Sequence, residues 1–233
     1  MLYKINRLSL THKVLRKCAY AVLKWIPEGI KFSIIHFYLK NIAPYKFVSM
    51  GDTVIQIGAP SDILKTGRSR WTHLAKIVGM NGKVVIIEPD KDNIVAIKRY
   101  IERKSLNNII VIDQGCWSEK TQKNFLVDRD NPAANLVGEV YDESRSDRSR
   151  FTEVSINVDK LDNMVAALNI EFFQLLSVTA NGSENEILIG AQETLKTCKI
   201  LAIVGSVEKI PALKLFDHKE MLQDDRGTTF IRS

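Results

Sequence analysis

Short β-branched runs alternate with helical stretches along most of this chain, and that alternation constrains its fold more than any other feature. TVIQI at 53–57, KVVII at 83–87 and IIVI at 109–112 read as strands, followed later by 154–158, 174–178 and 200–204. Between them lie helical patterns at 71–78, stopped by Gly79, at 93–104, with Ile94, Ile97 and Ile101 on one face, near 160–168, and at 184–195. Strands apolar on both faces belong to parallel sheets covered by helices on each side. The expectation is a three-layer Rossmann-like α/β sheet, mostly parallel. The runs at 221–222 and 228–231 are expected to add a C-terminal antiparallel hairpin, and 123–127 an edge strand. The polar, charged stretch 128–150 has no period and predicts a mobile loop.

Charge is spread unevenly over the 233 residues, which carry a formal net charge of +6. Residues 1–50 hold nine Lys and Arg and a single acid, Glu28, for +8; the other 24 bases and 26 acids leave −2. The basic character therefore belongs to an N-terminal segment, 1–47, ahead of a main domain, 48–233. That argues against a nucleic-acid partner bound across the fold. In the segment, Val14, Leu15, Cys18, Ala19, Val22, Leu23 and Ile26 recur at helical spacing, with Lys13, Arg16, Lys17 and Lys24 off the stripe. After Pro27 and Gly29, a second helix over 30–39 is expected to turn Ile34, Ile35 and Tyr38 inward. Three covers suit these amphipathic helices: the chain's own domain, a second copy in a homo-oligomer, or an anionic membrane surface met peripherally.

Lys24, Lys31, His36 and Lys40 interrupt every apolar run, so none has the length of a membrane span. No secretory signal pattern opens the chain. Cys18, Cys116 and Cys198 show no ligand spacing, and His12, His36, His73 and His218 are equally scattered, so no metal site is suggested. The expected setting is the cytoplasm, peripheral to the membrane if the N-terminal helices meet one.

Parallel α/β sheets bind ligands beyond the carboxyl ends of their strands. The first strand ends Gly58-Ala59-Pro60-Ser61-Asp62, where Gly58 permits a sharp turn and close approach of a ligand. The second ends Glu88-Pro89, placing a carboxylate where it can accept hydrogen bonds from both ribose hydroxyls of a nucleoside. The third ends Asp113-Gln114-Gly115, suited to polar contacts with an adenine edge. No G-x-G-x-x-G follows the first strand, and Pro60 suits that turn badly, which disfavours a nicotinamide dehydrogenase.

Taken together, GKVVIIEPDKDNIVAIKRYIE, NNIIVIDQGCWSEKT, VSINVDKLDNM and LLSVTANGSENEILIGAQETL resemble the core of the FkbM-type methyltransferases, in the right order. The resemblance covers about residues 51–204. It implies S-adenosylmethionine as cofactor, held by Gly58, Ala59, Glu88, Pro89, Asp113, Gln114 and Gly115, and methyl transfer to oxygen of a small or glycan-like acceptor. The chain departs from the family pattern at two places. Where the family's first strand ends Asp-x-Gly-Ala-Asn-x-Gly, Gln56, Pro60 and Asp62 stand for the Asp, the Asn and the second Gly. In the late Lys-Ile-Asp-Val-Glu-Gly-Ala-Glu signature, Ser177, Thr179 and Asn181 stand for the Lys, the Asp and the first Glu.

Methyl transfer from a sulfonium is an in-line displacement, so the protein's main task is alignment of acceptor and methyl carbon. Where a base is needed, Glu184 is the first candidate, ahead of Asp62 and His73. Lys65, Arg68 and Arg70 suit an anionic acceptor, with Thr179 and Asn181 beside them on the acceptor side. The lost charges at 179 and 181 also support a second expectation, a catalytically lapsed relative that binds a ligand or a partner protein.

Overall fold

The computed structural model describes residues 27–61, 70–143, 147–205, 207–224 and 227–232. The helix expected over 13–26 lies outside them, as do Asp62, Lys65 and Arg68.

Seven strands form the main sheet: β1 (Thr53–Ile57), β2 (Lys83–Ile87), β3 (Ile109–Ile112), β8 (Phe173–Val178), β9 (Cys198–Ile203), β10 (Glu220–Asp224) and β11 (Gly227–Ile231). Their spatial order is β3-β2-β1-β8-β9-β11-β10, parallel except for β11, which runs antiparallel to both β9 and β10. The order reverses between β1 and β8, so their carboxyl ends border a crevice. The sequence expectation of a mostly parallel sheet closed by an antiparallel hairpin is what the chain adopts.

Alternation along each strand sends side chains to two cores. Val54, Val84, Ile86 and Leu175 face α1 (Glu28–Leu39), α2 (Trp71–Val78) and α3 (Lys91–Arg103), and Trp71, Leu74 and Ile97 are fully buried against them. Ile55, Val85, Leu176 and Leu201 face α4 (Leu161–Ala166), α5 (Glu184–Ile189) and α6 (Gln192–Thr197). Each such aliphatic side chain contributes about 1.5–3 kcal/mol on burial. The first of these cores also takes in Leu39, Tyr45 and Val48, so α1 and the turn after it pack as part of the domain.

Three features differ from the sequence expectation. Residues 123–127 do not flank the main sheet. They belong to β5 (Thr121–Val127), which pairs with β7 (Thr152–Asp159) and β6 (Leu136–Val137); with β4 (Gly115–Cys116) these form a second sheet, ordered β4-β7-β5-β6. The segment 128–150 is also more structured than its composition suggests. Asp128 is buried and ion-paired with Arg150, its Oδ1 accepts from the amides of Asp130 and Asn131, and β6 and three short 3-10 turns fall within the stretch. Finally, the helix expected over 184–195 breaks into α5 and α6 at Gly190-Ala191. A Cβ on Gly190 would lie 2.0 Å from the Trp117 carbonyl oxygen, so the backbones approach too closely for any other residue. The break also frees a helix start for Asp162, whose carboxylate accepts from the amides of Glu193 and Thr194.

Candidate functional site

A cavity of about 350 Å³ lies over the carboxyl ends of β1, β2 and β8, between them and the second sheet. Its floor begins at Gly58, with φ +77, where a Cβ would fall 2.1 Å from the Thr179 carbonyl oxygen. Glycine is therefore required both by the turn and by the close passage of the two strand ends.

Glu88 closes β2 and is 4% exposed. Its Oε2 accepts from the Ala59 amide at 2.7 Å; its Oε1 accepts from the Asp90 amide at 3.0 Å and from Asn93 Nδ2 at 3.1 Å. Burial raises its carboxyl to about 7, against the pull of these three donors. Asn93 also accepts from the Ser61 amide at 2.8 Å, so one side chain of α3 fixes both the loop after β1 and the carboxylate after β2. Asp90 caps α3 by accepting from the Asp92 amide.

The roof comes from the second sheet and the segment before it. Phe125, Leu136, Val137, Ile156 and Val158 present an apolar underside to the cavity. The roof is tied down on two sides. Asn135 Nδ2 donates to Asp90 Oδ2 at 2.7 Å while its Oδ1 accepts from the Asp128 amide, and Asn181 Nδ2 donates to the carbonyls of Ala133 and Asn135, each at 2.8 Å.

Three of the residues that depart from the family signature, Gln56, Ser177 and Thr179, stand together. Gln56 and Ser177 are register partners on β1 and β8, Gln56 Nε2 donates to Thr179 Oγ1, and Arg70 reaches Ser177 Oγ at 3.4 Å. The Thr179 hydroxyl lies within reach of the carbonyls of Ile57 (2.8 Å) and Gly58 (2.9 Å). Gln56 Oε1 is buried with no hydrogen-bond partner among the described residues. Uncharged side chains thus stand at these three positions of the signature, with Arg70 beside them, on the side of the sheet facing α2.

Among the residues expected at the site, Gly58, Ala59, Glu88, Pro89, Gly115, Thr179 and Asn181 line the cavity. Asp113 is exposed, and neither it nor Gln114 reaches the wall, because β4 turns the chain back toward the second sheet directly after them. Glu184 is also off the wall; its neighbours Ser183 and Ile187 line it, while Glu184 itself is buried at the start of α5, near Gly205. Burial raises its carboxyl, opposed by its own amide and that of Gly182. Arg70 is buried, not presented to solvent. His73 stacks on Phe32 at 4.4 Å and near His36; burial first, then His36 and Lys76, lower it to about 4. It is a neutral packing residue away from the cavity. The sequence reading missed the roof, although the buried run Phe125-Leu126-Val127 carries an apolar signal too continuous for an exposed edge strand.

The strand order with its hairpin, and a cavity over the switch point walled by a glycine turn and a buried acid, define a class I methyltransferase fold. Residues 56–228 match the methyltransferase FkbM domain, and the chain belongs to that family. No curated protein sequence matches it. Among solved structures, the chain is similar to methyltransferase FkbM from Methylobacillus flagellatus KT. The identity is 16%, over 77% of this chain and 43% of that one, with a TM-score of 0.50. The chain thus spans less than half the length of that protein. Aeropyrum pernix fibrillarin, solved with natively bound S-adenosyl-L-methionine, is 12% identical over 85% of this chain and 73% of its own, at TM-score 0.47. A methyltransferase from Geobacter sulfurreducens is 12% identical over 99% of this chain and 92% of its own, at TM-score 0.44.

Proposed function

We propose that this chain binds S-adenosylmethionine in the cavity over β1, β2 and β8 and transfers its methyl group to oxygen of a small or glycan-like acceptor. The observation that carries the reading is Glu88, a buried carboxylate lining a nucleoside-sized cavity beside a glycine turn. The cavity's volume falls in the range of small-molecule sites, and its walls are mostly apolar with few polar groups, which suits an adenosyl group. Glu88 would hold the ribose hydroxyls, and Gly58, Ala59 and Pro89 would border the donor. When bound, the donor supplies an activated methyl group on sulfur. The protein's own contribution is then to exclude water beneath the roof and to hold the acceptor in line.

A second reading rests on a specific observation. Among the described residues lining the cavity, Glu88 is the one carboxylate, and the hydroxyl of Thr179 and Nδ2 of Asn181 donate to backbone carbonyls. That arrangement favours donor binding without a general base in place. Titration calorimetry with S-adenosylmethionine tests the shared part of both readings, and absence of binding overturns both. Turnover in a screen of glycans, small carboxylates and hydroxylated lipids separates them: any methylated product removes the second.

A further inference from the structure

α1 is apolar on both of its faces. Ile35 and Leu39 turn toward the sheet core, and Phe32 stacks on His73. The opposite face carries Ile30, Ile34, Phe37 and Tyr38, which are 54%, 51%, 68% and 62% exposed. The sequence pattern placed Ile34 and Tyr38 inward with Ile35. The helix instead splits the three, because α2 meets the stripe through Phe32, Ile35, His36 and Leu39, leaving positions i, i+4, i+7 and i+8 from Ile30 toward solvent.

We propose that this outward face of α1 docks on an anionic lipid surface. Four large side chains share the exposed side of this 12-residue helix, and an exposed apolar patch of that kind marks a contact surface that a lipid interface would cover. No helix among the described residues is long and apolar enough to cross a membrane. A cation borders the apolar face: exposed Lys40 sits with its ammonium 4.8 Å from the Phe37 ring. An aromatic body flanked by an ammonium head matches an apolar layer beneath anionic headgroups. Charge also argues against a second copy of the chain as occupant. Residues 27–50 carry Lys31, Lys40 and Lys46 against the one acid Glu28, so two such faces would bring like charges together. An anionic bilayer neutralises that charge.

The test is co-sedimentation of the full chain with vesicles of phosphatidylcholine alone and with one-quarter phosphatidylglycerol. Binding is expected to the anionic vesicles only, and to fall steeply as salt rises. The double substitution Ile34→Ser with Phe37→Ser should weaken partitioning by at least about tenfold, and Lys40→Glu by about tenfold. Both sets of side chains are exposed, and an unchanged thermal melt would show the fold intact. Three results would overturn the proposal: no pelleting of the unaltered chain, equal pelleting of the double variant, or a dimer in sedimentation equilibrium that the double variant dissociates. None depends on whether the cavity binds S-adenosylmethionine.

Discussion

The side-chain amide of Asn181 donates to the carbonyl oxygen of Asn135 at 2.8 Å, joining the end of the fourth parallel strand to the roof of the cavity. The same amide holds the Ala133 carbonyl. Only a donor can make these contacts, and the family signature has an acid at this position, which would face two carbonyl oxygens instead. Asn181→Asp should therefore release the roof, at about 1–3 kcal/mol for the lost bonds and the exposed acceptors. Hydrogen exchange should speed up over residues 131–137 and stay unchanged in β1 and β2. Equal protection in the variant would mean that Asn135 and Asp90 hold the roof unaided.

Glu88 should decide donor affinity. Glu88→Ala is expected to weaken S-adenosylmethionine binding by about 1.5–3 kcal/mol, as for hydrogen bonds to a charged acceptor. Ribose hydroxyls bind the ionised form best, and the carboxyl titrates at about 7. Affinity should accordingly strengthen from pH 6 to 8, and this dependence should vanish in Glu88→Gln. Calorimetry at both pH values checks it; a flat profile in the unaltered chain would remove Glu88 from the ribose.

Gly58→Ala meets two obstacles at once, the positive φ and a Thr179 carbonyl oxygen 2.1 Å from the new Cβ. Overpacking of this kind costs about 1–3 kcal/mol. The expected outcome is a lower melting temperature together with loss of donor binding, since β1 and β8 must separate where the cavity floor begins. Unaltered binding would show that the turn relaxes without disturbing the floor.

What the sequence revealed and what it hid divide along physical lines. Val54 to Ile57 and Val84 to Ile87 are buried on both sides, so their β-branched runs announce parallel strands directly. Gly58 and Glu88 were visible because strand ends in such sheets are ligand positions. The second sheet was not visible as a sheet, because β4 and β6 are two residues each and β5 begins Thr-Gln-Lys-Asn before its buried Phe-Leu-Val. The order within 128–150 rests on Asp128, which pairs with Asn135 and Arg150 of the same segment, and on Asn135, which also reaches Asp90 and Asn181. Composition counts those residues as solvated, whereas pairing buries Asp128. The outward turn of Ile34 and Tyr38 was hidden for the opposite reason. A helix apolar on both sides has no period from which to choose its inner face.

Two buried groups should give the stability opposite pH slopes. His73 is lowered from 6.5 to about 4, so between those values the unfolded chain binds the extra proton and stability rises with pH. Glu88 is raised from 4.5 to about 7, so between those values the folded chain holds the extra proton and stability falls as pH rises. The windows overlap from about 4.5 to 6.5, and there the two effects offset each other. Single substitutions should separate them. Glu88→Gln keeps an acceptor oxygen but removes the titration, so its melting temperature should rise relative to the unaltered chain as pH goes from 5 to 7. His73→Leu keeps an apolar body against Phe32 and removes the other titration, so its relative melting temperature should fall as pH goes from 4.5 to 6.5. Taking each variant against the unaltered chain at the same pH cancels the titration of every other group. Parallel curves for either variant would show that its group binds protons equally in the folded and the unfolded chain, so that folding does not shift it.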